Sequence, residues 1–199
     1  WDLAKRTNPA NIEGGISEAL VGADIVISLS KSGPDTIKPE WIKKMNKDGI
    51  GFFCANPIPE IWPWEAKEAG LRVVATGRSD FPNQVNNSIG FPAIFRGTLD
   101  VKAKTITDEM CIAAAHELAA FAEENGLDEE NIVPNMGDWE AFIREAVAVG
   151  MKAIEQGVAR ETYTREELYK KSEKMIKDAR NSIETLMKTG MIPPPPEGV

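Results

Sequence analysis

The chain has 199 residues, 42% hydrophobic and 27% charged, and its 23 basic residues against 31 acidic ones give a net charge of −8. This composition is typical of a globular protein of about one domain and argues against general disorder. Because nucleic acids and anionic membrane surfaces require a basic face on their partner, we expect neither partner, and no apolar run is long enough to predict a membrane span.

Three apolar runs predict strands buried on both faces in the first half of the chain, namely 23–30 (ADIVISLS), 50–55 (IGFFCA) and 71–75 (LRVVA). The segments between them have helical patterns that can begin at Pro39 and Pro63, since proline suits the first turn of a helix. The order β-α-β-α-β predicts a parallel sheet with right-handed crossovers.

From about residue 107 the apolar pattern becomes helical. Thr107 and Asp138 can each cap a helix, and Thr164 with Glu167 forms a capping box ahead of a third. The prolines at 193–196 predict an extended tail. We therefore expect helices over 107–190 and a Pro-rich tail over 191–199.

Small and polar residues follow all three predicted strands, and ligands of open parallel sheets bind beyond the carboxyl ends of strands. The three ends are Ser28–Ser30, Asn56-Pro57 and Thr76–Asp80, and the amide-rich segment Asn83–Asn87 comes next. Amides can hold carboxylates, carboxamides or ribose hydroxyls. Two ordinary readings stay open, since strand ends turn polar in wet loops and amides also cap helices and turns.

Other chemistry-bearing residues have ordinary interpretations. The single histidine, His116, is expected to pack or to lie on the surface, and Arg78 and Arg96 are expected to form ion pairs. No His, Cys or carboxylate group has the spacing of metal ligands. Gly49-Ile50-Gly51 precedes a strand, whereas a dinucleotide fingerprint follows one, so the phosphate-binding glycine loop is absent.

Several strings together resemble malic enzyme of the bacterial and archaeal type. They are ATGRSDFPNQVNN (75–87), SIGFPAIFRGTLDV (88–101), ANPIPEI (55–61) and ADIVISLSKSGPDTIKPEWIKKM (23–45). The resemblance implies an α/β fold: the second half of a Rossmann-type parallel sheet followed by a C-terminal helical segment. Residues 1–106 would form a partial NAD(P)-binding domain, and the helices of 107–190 would pack on it.

The resemblance also implies oxidative decarboxylation of L-malate to pyruvate and CO₂, with reduction of NAD or NADP and use of Mg²⁺ or Mn²⁺. Carried over by position, the expected cofactor contacts are Leu29, Ser30, Asn56, Gly77 and Asn87. Asn56 would reach the nicotinamide side, and Gly77 would let the cofactor approach the backbone. Asn86 and Asn87 would bind the substrate.

The family's tyrosine acid, lysine base and metal-binding carboxylates lie upstream of the matched region, so we expect no catalytic residue and no metal ligand in this chain. The chain starts at Trp1 rather than Met, which favours a fragment or a processed product. Because the base and the metal ligands are missing, we expect this stretch to be inactive alone. Because half of the sheet is missing, we also expect an exposed apolar edge beside Ala23–Ser30. A non-catalytic nucleotide-binding or dimerisation fragment, or another nicotinamide dehydrogenase, is the alternative.

The family is usually dimeric, so the resemblance implies a homodimer. The two cysteines, Cys54 and Cys111, each lie in an apolar stretch and favour a reduced, cytoplasmic protein.

Overall fold

A computed structural model describes residues 1–195, so the end of the predicted Pro-rich tail, 196–199, lies outside the described residues. In chain order the elements are α1 (Asp2–Arg6), α2 (Ile16–Ala19), β1 (Ile25–Ser28), α3 (Pro39–Ile42), β2 (Ile50–Phe53), α4 (Pro63–Glu68), β3 (Val73–Thr76), a 3₁₀ turn (Asn87–Ile89), α5 (Phe91–Asp100), α6 (Asp108–Glu124), α7 (Trp139–Glu155) and α8 (Arg165–Lys188). No helix within 1–195 is long and apolar enough to cross a membrane.

The chain divides into two compact units. The first unit comprises residues 1–86 and 122–133, and the second comprises residues 87–121 and the chain from 134 onward. The predicted domain boundary at residue 106 is a different division of the chain, and it stays a prediction.

The first unit contains a three-stranded parallel sheet in the order β1-β2-β3. Ile25 lies opposite Ile50, and Ile50 lies opposite Val73. The prolines at 39 and 63 occupy the first turns of α3 and α4, and Gly70 follows α4 with a φ of +118° that favours glycine. The predicted β-α-β-α-β order and the α/β class are therefore confirmed, although each strand is shorter than its apolar run.

The β1 strand lies at one edge of this sheet, and the outward side of its chain is apolar. Ile25, Ile27 and Leu29 are 54%, 65% and 77% exposed, while Val26 and Ser28 between them are buried. The predicted exposed apolar edge is thus confirmed. The expectation that this run is buried on both faces is wrong for β1, because nothing among residues 1–195 covers the face that carries Ile25 and Ile27.

The second unit is built on the crossing of α5 and α7. A Cβ at Gly97 would overlap the Ala146 carbonyl oxygen and lie 2.9 Å from Val149 Cβ, so only glycine permits this approach. Val101, Met110 and Leu168 form part of the buried cluster beside the crossing. The Thr164–Glu167 capping box is present, with the Glu167 N–H donating to Thr164 Oγ1 at 3.2 Å.

Candidate functional site

The carboxyl end of β1 is fixed by a buried glutamate that follows β2. Ser28 donates its hydroxyl to Glu60 Oε1 at 2.8 Å, and the Ser30 backbone N–H donates to the same oxygen at 2.8 Å. The Ser30 hydroxyl donates a weaker bond at 3.2 Å. The other carboxyl oxygen, Oε2, accepts from the Ala55 backbone N–H at 3.1 Å. Glu60 therefore joins the end of β1 to the end of β2.

Three of the predicted site residues lie together at the ends of β2 and β3. A Cβ at Gly77 would be 3.2 Å from Asn56 Oδ1, and Asn86 donates its side-chain N–H to the Gly77 carbonyl oxygen at 2.9 Å. Asn56 is exposed and is joined to Pro57 by a cis peptide bond. Ser30 and Leu29, at the end of β1, are also exposed. The strand ends thus present amides, a hydroxyl and an apolar side chain to solvent.

The segment after Asn83 continues beside β3. Gln84 forms a parallel bridge with Thr76, and the Val85 N–H donates to the Thr76 carbonyl oxygen at 2.7 Å. This pairing leads the chain back past Gly77 to Asn86. Asn87 begins the second unit: it is exposed, it opens the 3₁₀ turn, and its carbonyl oxygen accepts from the Gly90 N–H at 3.2 Å.

Asn83 has a structural role rather than a binding one. It is buried, and its side-chain N–H group donates to the carbonyl oxygens of Val74 at 3.1 Å and Glu129 at 2.8 Å. Its Oδ1 accepts from the Ile132 N–H at 3.0 Å. Of the two readings of the amide segment, the turn-forming one therefore holds for Asn83.

Arg78 and Asp80 form a two-bond ion pair in the loop after β3, at 2.8 Å and 2.7 Å. The ion pair holds the pKa of Asp80 below its usual range and raises that of Arg78, chiefly through the hydrogen bonds between them. Arg96 is likewise paired with Asp100. The ion pairs expected for both arginines are confirmed, and the exposed His116 lies on a helix surface as expected.

No group of three or more His, Cys, Asp or Glu side chains among residues 1–195 could hold a metal ion. The described residues thus do not fit a divalent-cation site. The strand ends do fit a nucleotide, because their small and uncharged polar groups can accept hydroxyl and amide partners without adding charge. The three parallel strands, their helices and this edge have the arrangement of a nucleotide-binding α/β domain.

Comparison with known proteins agrees with that assignment. Residues 71–156 match the family described as "Malic enzyme, NAD binding domain". The bifunctional malic/malolactic enzyme of Bacillus subtilis is 44% identical over 174 residues, which are 87% of this chain and 42% of that protein. The NAD-dependent malic enzyme of Geobacillus stearothermophilus is 46% identical over 80% of this chain and 33% of that protein.

Solved structures give the same result. The malic enzyme of Entamoeba histolytica is 52% identical, with a TM-score of 0.92, over 95% of this chain and 39% of that one. The malic enzyme of Pyrococcus horikoshii is also 52% identical, with a TM-score of 0.85, over 92% of this chain and 42% of that one. The chain belongs to the malic enzyme family, in the region of its NAD-binding domain, and spans less than half the length of these relatives.

The comparisons confirm the family that the sequence strings indicated. They do not test the individual site residues, so the roles of Leu29, Ser30, Asn56, Gly77, Asn86 and Asn87 stay predictions. Glu60 was missed at the sequence level. The only available signal was a glutamate after Asn56-Pro57, and its partners Ser28 and Ser30 are about thirty residues away along the chain.

Proposed function

We propose that this chain is the cofactor-binding portion of an enzyme that oxidatively decarboxylates L-malate to pyruvate and CO₂ with reduction of NAD or NADP. The single observation that carries the proposal is the meeting of Asn56, Gly77 and Asn86 at the ends of β2 and β3, inside a sequence related to malic enzymes. Nucleotides bind at this end of parallel sheets.

In this proposal the chain's own residues bind and orient. Leu29 and Ser30 form the cofactor wall after β1, and Asn56 beside Gly77 forms the wall after β2 and β3. Asn86 and Asn87 hold the substrate or the cofactor ribose through neutral amide groups. A bound NAD or NADP would supply the acceptor for the hydride removed from C2 of malate.

The groups that move protons and any Mg²⁺ or Mn²⁺ ligands belong, in this proposal, to the rest of the protein. Asparagine and serine side chains do not ionise near neutral pH, so the strand-end residues Ser30, Asn56, Asn86 and Asn87 cannot supply a general base. We also propose a cytoplasmic homodimer. The free thiols of Cys54 and Cys111 support the reducing compartment, and the family resemblance suggests the dimer.

The decisive experiment follows malate-dependent formation of reduced NAD or NADP by the protein at its full natural length. We expect Asn87→Ala to lower turnover by at least about tenfold, the scale on which loss of one orienting contact acts, without changing the unfolding temperature. Asn181→Ala, on the exposed surface of α8, is the matched control and should retain wild-type turnover.

Intact turnover in Asn87→Ala would remove Asn87 from the site. A wild-type protein that binds NAD or NADP but never reduces it with malate would instead support the non-catalytic, nucleotide-binding alternative.

A further inference from the structure

Glu60 is a fully buried side chain surrounded by donors from two different strand ends. We propose that Glu60 is a positioning residue for the cofactor, which fixes the loops after β1 and β2 so that Ser30 and Asn56 face one ligand. The inference rests on the proposed function and deepens it.

The hydrogen bonds of Glu60 reach both loops within two residues of the strand ends. Oε1 accepts from the Ser28 hydroxyl and from the backbone and hydroxyl of Ser30, and Oε2 accepts from the Ala55 N–H. Ser30 is a predicted cofactor contact, and Ala55 directly precedes Asn56, which is another. One carboxyl group therefore links the two loops beside Ser30 and Asn56.

Ladder hydrogen bonds do not provide this constraint. The paired region ends at Ser28 opposite Phe53, and the last ladder bond runs from the Cys54 N–H to the Ser28 carbonyl oxygen at 2.9 Å. Beyond that point Glu60 links Ser30 to Ala55. Farther along, the Ile58 N–H donates to the Ser32 hydroxyl, and the Ile58 carbonyl oxygen accepts from Ser32 and from the Gly33 N–H. Along the chain, Glu60 is the connection next to Ser30 and Asn56. Its own segment is held in turn, because the Ile37 N–H donates to the Glu60 carbonyl oxygen at 3.0 Å.

The chemistry of the site requires a carboxylate of this length. A carboxylate only accepts hydrogen bonds, so it can satisfy every donor that faces it. A glutamine would turn an N–H group toward either the Ser30 or the Ala55 N–H, and would leave a donor without an acceptor. An aspartate is one methylene shorter and cannot span the same gap.

The role is positional rather than catalytic because Glu60 is completely buried and cannot touch a ligand. The pKa of the nearby Cys54 thiol is raised, first by burial and second by the negative charge of Glu60. We therefore expect the loss of Glu60 to act on cofactor binding through loop order, since a binding-competent state that is less populated weakens apparent affinity in proportion.

The test compares Glu60→Gln with Glu65→Gln in the protein at its full natural length. Glu65 is the matched control because its carboxyl also accepts a backbone N–H, from Trp62 at 3.3 Å, but touches neither strand end. NAD and NADP titrations should show affinity weakened about tenfold in Glu60→Gln. The KM for cofactor should rise while the KM for malate and kcat at saturating cofactor stay near wild type.

Amide hydrogen exchange provides a readout independent of activity. The Ser30 and Ala55 amides should exchange faster in Glu60→Gln than in the wild type. Their exchange rates should be unchanged in Glu65→Gln. If Glu60→Gln does not fold, Ser28→Ala removes a single hydroxyl donor and should weaken cofactor binding in the same direction by a smaller factor.

Equal cofactor affinity and exchange in the two glutamine variants would overturn the role of Glu60 while leaving the proposed function intact. A rise of similar size in the KM values for cofactor and for malate, together with a similar fall in kcat, would also overturn it, because such changes indicate general damage to the fold. A wild-type protein that binds neither NAD nor NADP would overturn the proposed function, and the cofactor role of Glu60 with it.

Discussion

Two glutamates in the described part of the chain, Glu60 and Glu145, are completely buried, and their surroundings are opposite. Glu60 accepts hydrogen bonds from Ser28, Ser30 and Ala55. Glu145, in α7, has no hydrogen-bond partner for either carboxyl oxygen among the described residues, and a Cβ at Gly90 would be 3.8 Å from its Oε1. Burial alone raises the pKa of Glu145 to about 9. A buried charge without a partner is costly, so the neutral acid is the stable form in the folded protein.

This raised pKa predicts a stability that falls as pH rises. The folded state binds the Glu145 proton more tightly than the unfolded state, so the contribution is complete below the ordinary carboxyl pKa and is lost progressively as pH rises toward about 9. The loss should be at most about 1.4 kcal/mol per pH unit in this window. Urea unfolding between pH 5 and pH 8.5 measures it.

Glu145→Gln is neutral at every pH, and we expect it to remove this component of the slope. Glu155→Gln, exposed at the end of the same helix, should leave the slope unchanged. If Glu145→Gln keeps the full wild-type slope, Glu145 is ionised in the folded protein and the prediction is wrong.

The buried side chain of Asn83 provides hydrogen-bond partners for backbone groups that lie outside helices and strands or at their edges. Its amide bonds Val74, Glu129 and Ile132, and its φ is +56°. Asn83→Gly keeps the backbone conformation accessible but leaves buried backbone groups without partners, so the free energy of unfolding should fall by about 1–3 kcal/mol. Asp48→Gly, at an exposed turn with a φ of +60°, is the control. Equal stabilities of the two variants would contradict a bonding role for Asn83.

At the scale of elements, the α5–α7 crossing should reverse the usual effect of a glycine-to-alanine substitution on helix stability. Glycine inside a helix is usually less stable than alanine by about 1 kcal/mol. Gly97→Ala should nevertheless destabilise, by about 1–3 kcal/mol, because the new methyl group would overlap Ala146 and Val149 across the crossing. Gly137→Ala, where a Cβ meets nothing within 4 Å, should be nearly neutral. Thermal unfolding of both variants decides, and a stabilised Gly97→Ala would show that the helices can separate.

Element boundaries set by neighbouring residues could be predicted from the sequence. Pro39 and Pro63 begin helices, Gly70 ends one, and the Thr164–Glu167 capping box begins another, because each of these signals acts within one turn of chain. The strand-end location of the candidate site followed from the order of strands and helices by the same local logic.

What could not be predicted depends on distant partners. Glu60 is informative only because Ser28 and Ser30 lie beside it in space, and Gly97 only because Ala146 crosses it. The exposure of Ile25 and Ile27 is similar: their apolar run is what a strand buried on both faces would have, and only the sheet order places β1 at the edge.

At the scale of the whole molecule, the chain corresponds to only part of the length of its relatives. It spans 42% of the Bacillus subtilis relative and 33% of the Geobacillus one, and β1 carries exposed Ile25 and Ile27 at an edge where further strands can pair. Under the proposed function, those strands and the proton-transfer groups come from sequence outside residues 1–199.

If the proton-transfer groups lie outside residues 1–199, this stretch expressed alone should not reduce NAD or NADP with malate at any concentration of Mg²⁺ or Mn²⁺. Abstraction of the hydroxyl proton needs a general base, and stabilisation of the enolate left by CO₂ needs a cation. The described residues contain no cluster that could hold that cation. Circular dichroism should first establish that the isolated chain is folded, and the full-length protein assayed in parallel is the positive control. Malate-dependent turnover by the folded 199-residue chain would contradict the prediction, because the base and the metal ligands would then have to lie within these residues.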